Sequence, residues 1–181
     1  MTMRRKRTSG MTVPSQDPVG LVWVHESVIR KTVAVLQASG DPHDPHEGIV
    51  YWAGRRLAGE AVVTTCIAPA ARTTRASFET SSLTNAKVVM YLATAGLELI
   101  GQVHSHPGEF IDHSKGDDRR ALMPYPGFLS VVVPSYARGG MLPLTICGVH
   151  AFQDSKFRRL SGSEIDARFR IVPEFGDLRN P

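Results

Sequence analysis

Two histidines, His104 and His106, close an apolar run from Leu97 to Val103, in the stretch Gln102-Val103-His104-Ser105-His106-Pro107. A β-strand puts residues i and i+2 on one face, so both imidazoles aim into one small volume. Farther along stands Asp117, preceded by Ser114 in the pattern Ser-x-x-Asp. Ser114 is a favoured helix N-cap, and a helix starting there holds Asp117 in its first turn. Two ring nitrogens and one carboxylate oxygen leave one position of a tetrahedral zinc open, as catalytic zinc sites require. Such a zinc lowers the pKa of its water from ~15.7 toward ~7. Hydrolysis then needs a base that takes the proton and returns it to the leaving amine. Spacing does not choose that base among Glu47, Glu60, Glu79, Glu98 and Glu109. Asp118 points elsewhere from a helix and takes no ligand role. Ser105 faces the other side of the strand, to pack or to bond backbone. His43 and His46, set among Pro42 and Pro45, read as an exposed turn.

His-Ser-His-Pro followed by Ser-x-x-Asp at this spacing resembles the signature of the JAMM metalloproteases, the JAB or MPN-plus family. The resemblance runs from about Val19 to about Leu160. It implies a single α/β domain, a curved mixed β-sheet flanked by helices in a cytidine-deaminase-like arrangement. It implies zinc on His104, His106 and Asp117. The family's catalytic glutamate precedes a Gly-rich strand after the first helix, a place that Glu47-Gly48 with the later Gly54 resembles; Glu60 ranks second. By the same resemblance Ser114 donates a hydrogen bond to the tetrahedral oxyanion. Losing such a donor typically costs ~2.7–4 kcal/mol. The run Leu129 to Ser135 is similar to the family's strand after the metal helix.

The family mostly hydrolyses isopeptide or peptide bonds after the tail of ubiquitin or a ubiquitin-like protein. Such tails commonly bind by strand addition beside the metal. This chain lacks a long insertion between Asp117 and Phe128 and resembles bacterial stand-alone members. The resemblance therefore implies a zinc isopeptidase or peptidase that deconjugates or matures a bacterial ubiquitin-like modifier, in antiviral defence or a related pathway. Activating and conjugating enzymes of that pathway are its implied further partners. Two rivals stand beside this reading: a zinc-free scaffold of the wider MPN family that binds a ubiquitin-like protein, and a hydrolase of a small amide or sulfur-carrier adduct.

The elements that must position these residues fit one domain of 181 residues, 42% hydrophobic and 21% charged. The net charge of +4 is matched by Arg4, Arg5, Lys6 and Arg7 alone. That leaves a near-neutral body and no argument for nucleic acid. Residues 1–18 read as a disordered basic tail and 19–181 as the metalloprotease domain. No apolar run approaches ~20 residues, and the basic start has no secretory apolar core, so a cytoplasmic protein without membrane contact is expected. Cys66 and Cys147 suggest no disulfide framework.

Strands are expected over Val19–Val24, Glu47–Gly54 and Ala61–Ile67, with a hairpin turn over Arg55–Glu60 and a loop over Pro69–Arg75. A helix from Ser27 to Ala38 follows the first of them, and Ser82 opens a second to Thr94, closed by Gly96. The metal-bearing strand is Leu97–His106, followed by a helix over Ser114–Leu122. Strands at Phe128–Pro134, Leu144–Phe152 and Phe157–Leu160 and a last helix over Ser163–Arg170 complete the reading.

Overall fold

The chain's architecture follows from short β-rich runs that bury both faces and two helices that cover them. A computed structural model describes residues 20–174. The expected basic tail over 1–18 lies outside the described residues. In order, the elements are β1 (Val22–His25), α1 (Glu26–Gln37), the two-residue strands β2 (Gly40–Asp41) and β3 (Asp44–Pro45), β4 (Ile49–Leu57) and β5 (Glu60–Ile67). A small hairpin follows, β6 (Ala71–Thr74) and β7 (Ser77–Thr80), then α2 (Ser82–Ala95) and β8 (Glu98–Ser105). Next come α3 (Lys115–Arg120), β9 (Leu129–Val133), β10 (Gly148–Gln153), β11 (Lys156–Arg159), α4 (Gly162–Arg168) and β12 (Phe169–Val172).

Eight strands form one mixed sheet in the order β11-β10-β9-β8-β4-β5-β1-β12. β8 sits at its centre, antiparallel to β4 and parallel to β9. Its near-continuous burial explains the largely apolar run before His104. One face packs on α1 through Val28, Ile29 and Leu36, joined by Val50, Trp52, Val103 and Val131. Thr32 of α1 accepts the Trp52 indole N–H at 2.9 Å, which satisfies the one polar atom of that buried ring. The opposite face carries a smaller cluster, Tyr51, Ala53, Val88, Leu92 and Leu122, under α2.

Several boundaries differ from expectation. β4 continues through Arg55 and Arg56 because they pair with Val62 and Ala61, so the turn shrinks to Ala58-Gly59. The expected loop over Pro69–Arg75 is half of a hairpin, with Ala71–Thr74 paired to Ser77–Thr80 and Phe78 buried beneath. Leu144–Ile146 is a 3₁₀ turn, and the strand begins only at Gly148. The last helix stops at Arg168; Phe169–Val172 instead pairs in parallel with β1 at the sheet edge. Gly96 does end α2, with φ of 62° that a residue bearing Cβ resists. Among the described residues no helix is long and apolar enough to cross a membrane.

Candidate metal centre

His104 and His106 occupy the C-terminal end and the first residue beyond β8, and both are buried. Their Nε2 atoms lie 3.2 Å apart. Asp117 comes to them from α3. Ser114 caps that helix, accepting the N–H groups of Gly116 and Asp117 at 3.2 and 3.3 Å. Asp117 answers by accepting the Ser114 N–H on Oδ2 at 2.7 Å, a reciprocal capping box. The cap thus does two jobs: it starts a very short helix and fixes the rotamer of the carboxylate. Asp117 Oδ1 then lies 3.5 Å from His104 Nε2, and Oδ2 lies 3.5 Å from His106 Nε2.

These three side chains form the one such group among the described residues whose donor atoms all lie within 4.8 Å of one another. A tetrahedral ion with bonds of about 2.0–2.1 Å has ligand–ligand edges of roughly 3.3–3.4 Å. The observed separations sit on either side of that value, so the donor set fits a small divalent cation. The tautomers agree. His106 Nδ1 lies 2.8 Å from the Phe110 carbonyl, so Nδ1–H donates there and the Nε2 lone pair faces inward.

Burial pushes the His104 ring toward its neutral form. Burial pushes His106 the same way, but Asp117 and the Phe110 carbonyl outweigh it and hold that ring above its ordinary value. Burial would raise Asp117 too, yet its bonds to the two histidines and to Ser114 keep the carboxyl well below the usual range. Asp117 is therefore a fixed anion and His104 a neutral donor, the states that ligation needs.

Glu47 is brought alongside by the sheet. Ile49, two residues on, pairs with His104 across β4 and β8. The Glu47 N–H donates to the Thr74 carbonyl of β6 at 2.8 Å, so the small hairpin braces it from the other side. Glu47, Ala76, His106, Pro107, Ser114 and Asp117 line one cavity of about 200 Å³. Burial raises the Glu47 carboxyl to about 7, against the pull of His106 and Arg120. A buried carboxyl poised there suits proton transfer.

The other four candidate glutamates are elsewhere. Glu60 accepts the Trp23 indole N–H and pairs with Leu57, at the far end of β4 from Ile49. Eight residues of strand separate those ends, roughly 26 Å at 3.3 Å per residue. Glu98 starts β8 and accepts the Arg56 N–H. Glu79 lies opposite Arg72 in the hairpin. Glu109 is exposed and accepts from Ser135 Oγ. His43 is exposed, and His46 contacts Thr73 rather than the centre.

The loop between His106 and Ser114 is held at both ends. Tyr136 N–H donates to the His106 carbonyl at 2.8 Å and Ser135 N–H to the Gly108 carbonyl at 3.0 Å. Ser135, Tyr136 and Ala137 reach these positions with positive φ, a costly left-handed turn for three residues with Cβ atoms. Farther on, a Cβ at Gly148 would lie 1.7 Å from the Ile111 carbonyl oxygen. Only glycine lets the loop come this close to β10.

The model of the Prok-JAB family, prokaryotic homologs of the JAB domain, matches residues 25–153. The chain belongs to this family. The match spans β4, β8 and α3 and includes Glu47, both histidines, Ser114 and Asp117. A "probable metalloprotease" from Sinorhizobium fredii is 36% identical over 97 residues, 51% of this chain and 59% of that protein. The chain thus spans about six tenths of that relative's length. A solution structure of a protein from Desulfitobacterium hafniense shares the fold with a TM-score of 0.61 at 17% identity, over 85% of this chain and 94% of that one. A JAB1/MPN domain protein from Archaeoglobus fulgidus gives a TM-score of 0.45 at 15% identity, over 78% and 94%.

Four contributors to the site were not singled out in the sequence: Ala76, Arg120, His113, whose ring lies 6.0 Å from that of His104, and the β6 half of the hairpin wall. Ala76 comes in with its hairpin, whereas Arg120 follows Asp117 by three residues on α3 and His113 pairs with Asp118 on the same helix.

Proposed function

We propose that this Prok-JAB chain is a zinc-dependent isopeptidase or peptidase that cuts after the C-terminal tail of a ubiquitin-like modifier. The observation that carries this reading is the convergence of Glu47, Ser114, His106 and Asp117 on one small cavity. Zinc held by His104, His106 and Asp117 would supply Lewis-acid polarisation and a more acidic water.

The chain's own residues do the rest. Glu47 takes the proton of the attacking water and delivers it to the leaving amine. The Ser114 oxygen already accepts two backbone N–H groups, so its hydrogen is left to donate to the carbonyl oxygen as negative charge builds there. Arg120 adds a positive charge that acts on Glu47 from the rim. The narrow cavity favours a tail with small residues beside the cut, because no Cβ branch then holds the backbone away. The extended tail and its body are the partners this reading implies, with the activating and conjugating enzymes of the same pathway beside them.

The test is hydrolysis of a fusion between a bacterial ubiquitin-like protein and a reporter by the zinc-loaded chain. Cleavage after the modifier's last residue, lost in Glu47→Gln, is the expected result. An intact fusion with every modifier tried, alongside turnover of a small amide, would replace this reading with the small-amide hydrolase.

A further inference from the structure

His106 has a partner for its outer nitrogen and His104 does not. Among the described residues, three buried side-chain atoms have no hydrogen-bond partner, and two of them are His104 Nδ1 and Gln102 Oε1. Both residues lie on β8, two positions apart, and so share one face of the sheet. If His104 turns the Nε2 lone pair to a metal, Nδ1 must carry the hydrogen and needs an acceptor. Gln102 Oε1 is an acceptor in need of a hydrogen.

What orients the Gln102 amide lies behind it. Gln102 Nε2 donates to Ser130 Oγ at 3.3 Å, across the β8–β9 pairing. Ser130 Oγ lies 2.9 Å from His113 Nε2, and His113 Nδ1 lies 2.7 Å from Asp118 Oδ1. The carboxylate can only accept, so His113 carries its hydrogen on Nδ1 and presents a lone pair at Nε2. Ser130 therefore turns its O–H toward His113 and its lone pair toward Gln102. That leaves Gln102 to offer its NH₂ to Ser130 and its oxygen elsewhere. Every link in the series has one consistent direction. The His113 ring is itself immobilised, stacked 4.0 Å from His150 and edge-on to Phe157 at 4.8 Å.

We propose that Asp118, His113, Ser130 and Gln102 form a directional relay that makes Gln102 the acceptor of the His104 Nδ1–H through one buried water, and so fixes the tautomer that binds metal. The inference rests on the reading of His104 as a metal ligand. All four are positioning residues. Asp118, which a ligand count discards, becomes the anionic anchor of the series. Outer partners of metal-bound histidines typically contribute 10–100-fold to metal affinity.

The experiment measures zinc affinity by competition with a chromogenic chelator, together with ring-nitrogen NMR of the histidines. The wild type should show His113 protonated at Nδ1, a result that needs no variant. Gln102→Leu, close in size, should weaken zinc binding about 10–100-fold. Gln102→Glu keeps an acceptor and should stay within about threefold of the wild type; Ser130→Ala, which frees the amide to turn, should fall between. Equal affinity in the wild type and Gln102→Leu, or His113 protonated at Nε2, would overturn the relay. A wild type that binds zinc tightly yet cleaves no fusion would sink the proposed hydrolysis and leave the relay intact.

Discussion

Ser105, the residue between the two histidines, accepts the backbone N–H of Gly48 on its Oγ at 3.0 Å, while its own N–H donates to the Gly48 carbonyl at 3.1 Å. The residue after Glu47 is thereby clasped to the strand that carries the ligands. Ser105 is fully buried, and its two bonds to Gly48 set the distance between the proposed base and the proposed ligands. Ser105→Ala leaves the Gly48 N–H without this partner, which costs about 1–3 kcal/mol. The expected outcome is a melting temperature lower by roughly 2–4 °C per kcal/mol, unchanged zinc content, and kcat down by about tenfold or more, since ~1 Å of misplacement can cost ~100-fold. Scanning calorimetry, metal analysis and steady-state kinetics on one preparation check all three.

Removing the base separates it from the ligands. Glu47→Gln should lower kcat by about 10²–10⁴-fold while zinc and fold persist. Glu60→Gln, whose partner is Trp23 at the other end of β4, should turn over near the wild-type rate. A dead Glu60→Gln with a live Glu47→Gln would transfer the role to the wrong end of the strand and refute the assignment.

The pH dependence has a definite sign. In the metal-free chain the Glu47 carboxyl is raised to about 7, chiefly by burial. Above the unfolded value the unfolded chain ionises freely and the folded chain resists. Folding stability is therefore lost as pH rises from the unfolded value toward 7. Glu47→Gln has no such proton to lose. Its melting temperature should gain on the wild type as pH goes from about 5 to about 8, measured without metal. An added divalent charge pulls the carboxyl down, so the acid limb of kcat/KM should lie below pH 7 in the loaded enzyme. A Glu47→Gln melting temperature that falls relative to the wild type as pH rises would contradict the buried, neutral Glu47.

The parts of the site legible in the sequence are those set by short-range geometry. His104 and His106 sit two apart at the end of a strand, and Ser114 with Asp117 close a capping box within one helical turn. Glu47 was legible only through family resemblance, because its position depends on β4 pairing with β8, far apart in the chain. The β6 half of the small hairpin escaped because Ala71-Arg72-Thr73-Thr74 carries no apolar alternation; pairing with Ser77–Thr80 makes it a strand. Phe169 and Arg170 read as the end of the last helix, but a sheet edge beside β1 takes them, with Ile171 and Val172, as a strand instead. On α2 the apolar residues Leu83, Val89 and Tyr91 stay exposed, since the small cluster under the helix accommodates only Val88 and Leu92. Propensity does not show which face a sheet will cover.

The substrate reading predicts a dependence on both tail and body. A fusion with Gly→Leu or Ala→Leu at the last tail residue should lose about 100-fold or more in kcat/KM, because the bulk holds the scissile carbonyl off its position. A free peptide of the same tail should be a much poorer substrate than the whole modifier, whose remote contacts help to position it. Equal kcat/KM for fusion, Leu variant and peptide would show that no ubiquitin-like tail is being read.

The measurement that bears most directly on the central claim is zinc per chain. Elemental analysis after dialysis should find about one zinc in the wild type and in Glu47→Gln, and almost none in Asp117→Ala or in His104→Ala combined with His106→Ala. A full zinc in either ligand variant, or none in a folded wild type supplied with the metal, would contradict the claim that His104, His106 and Asp117 form the centre of a zinc hydrolase.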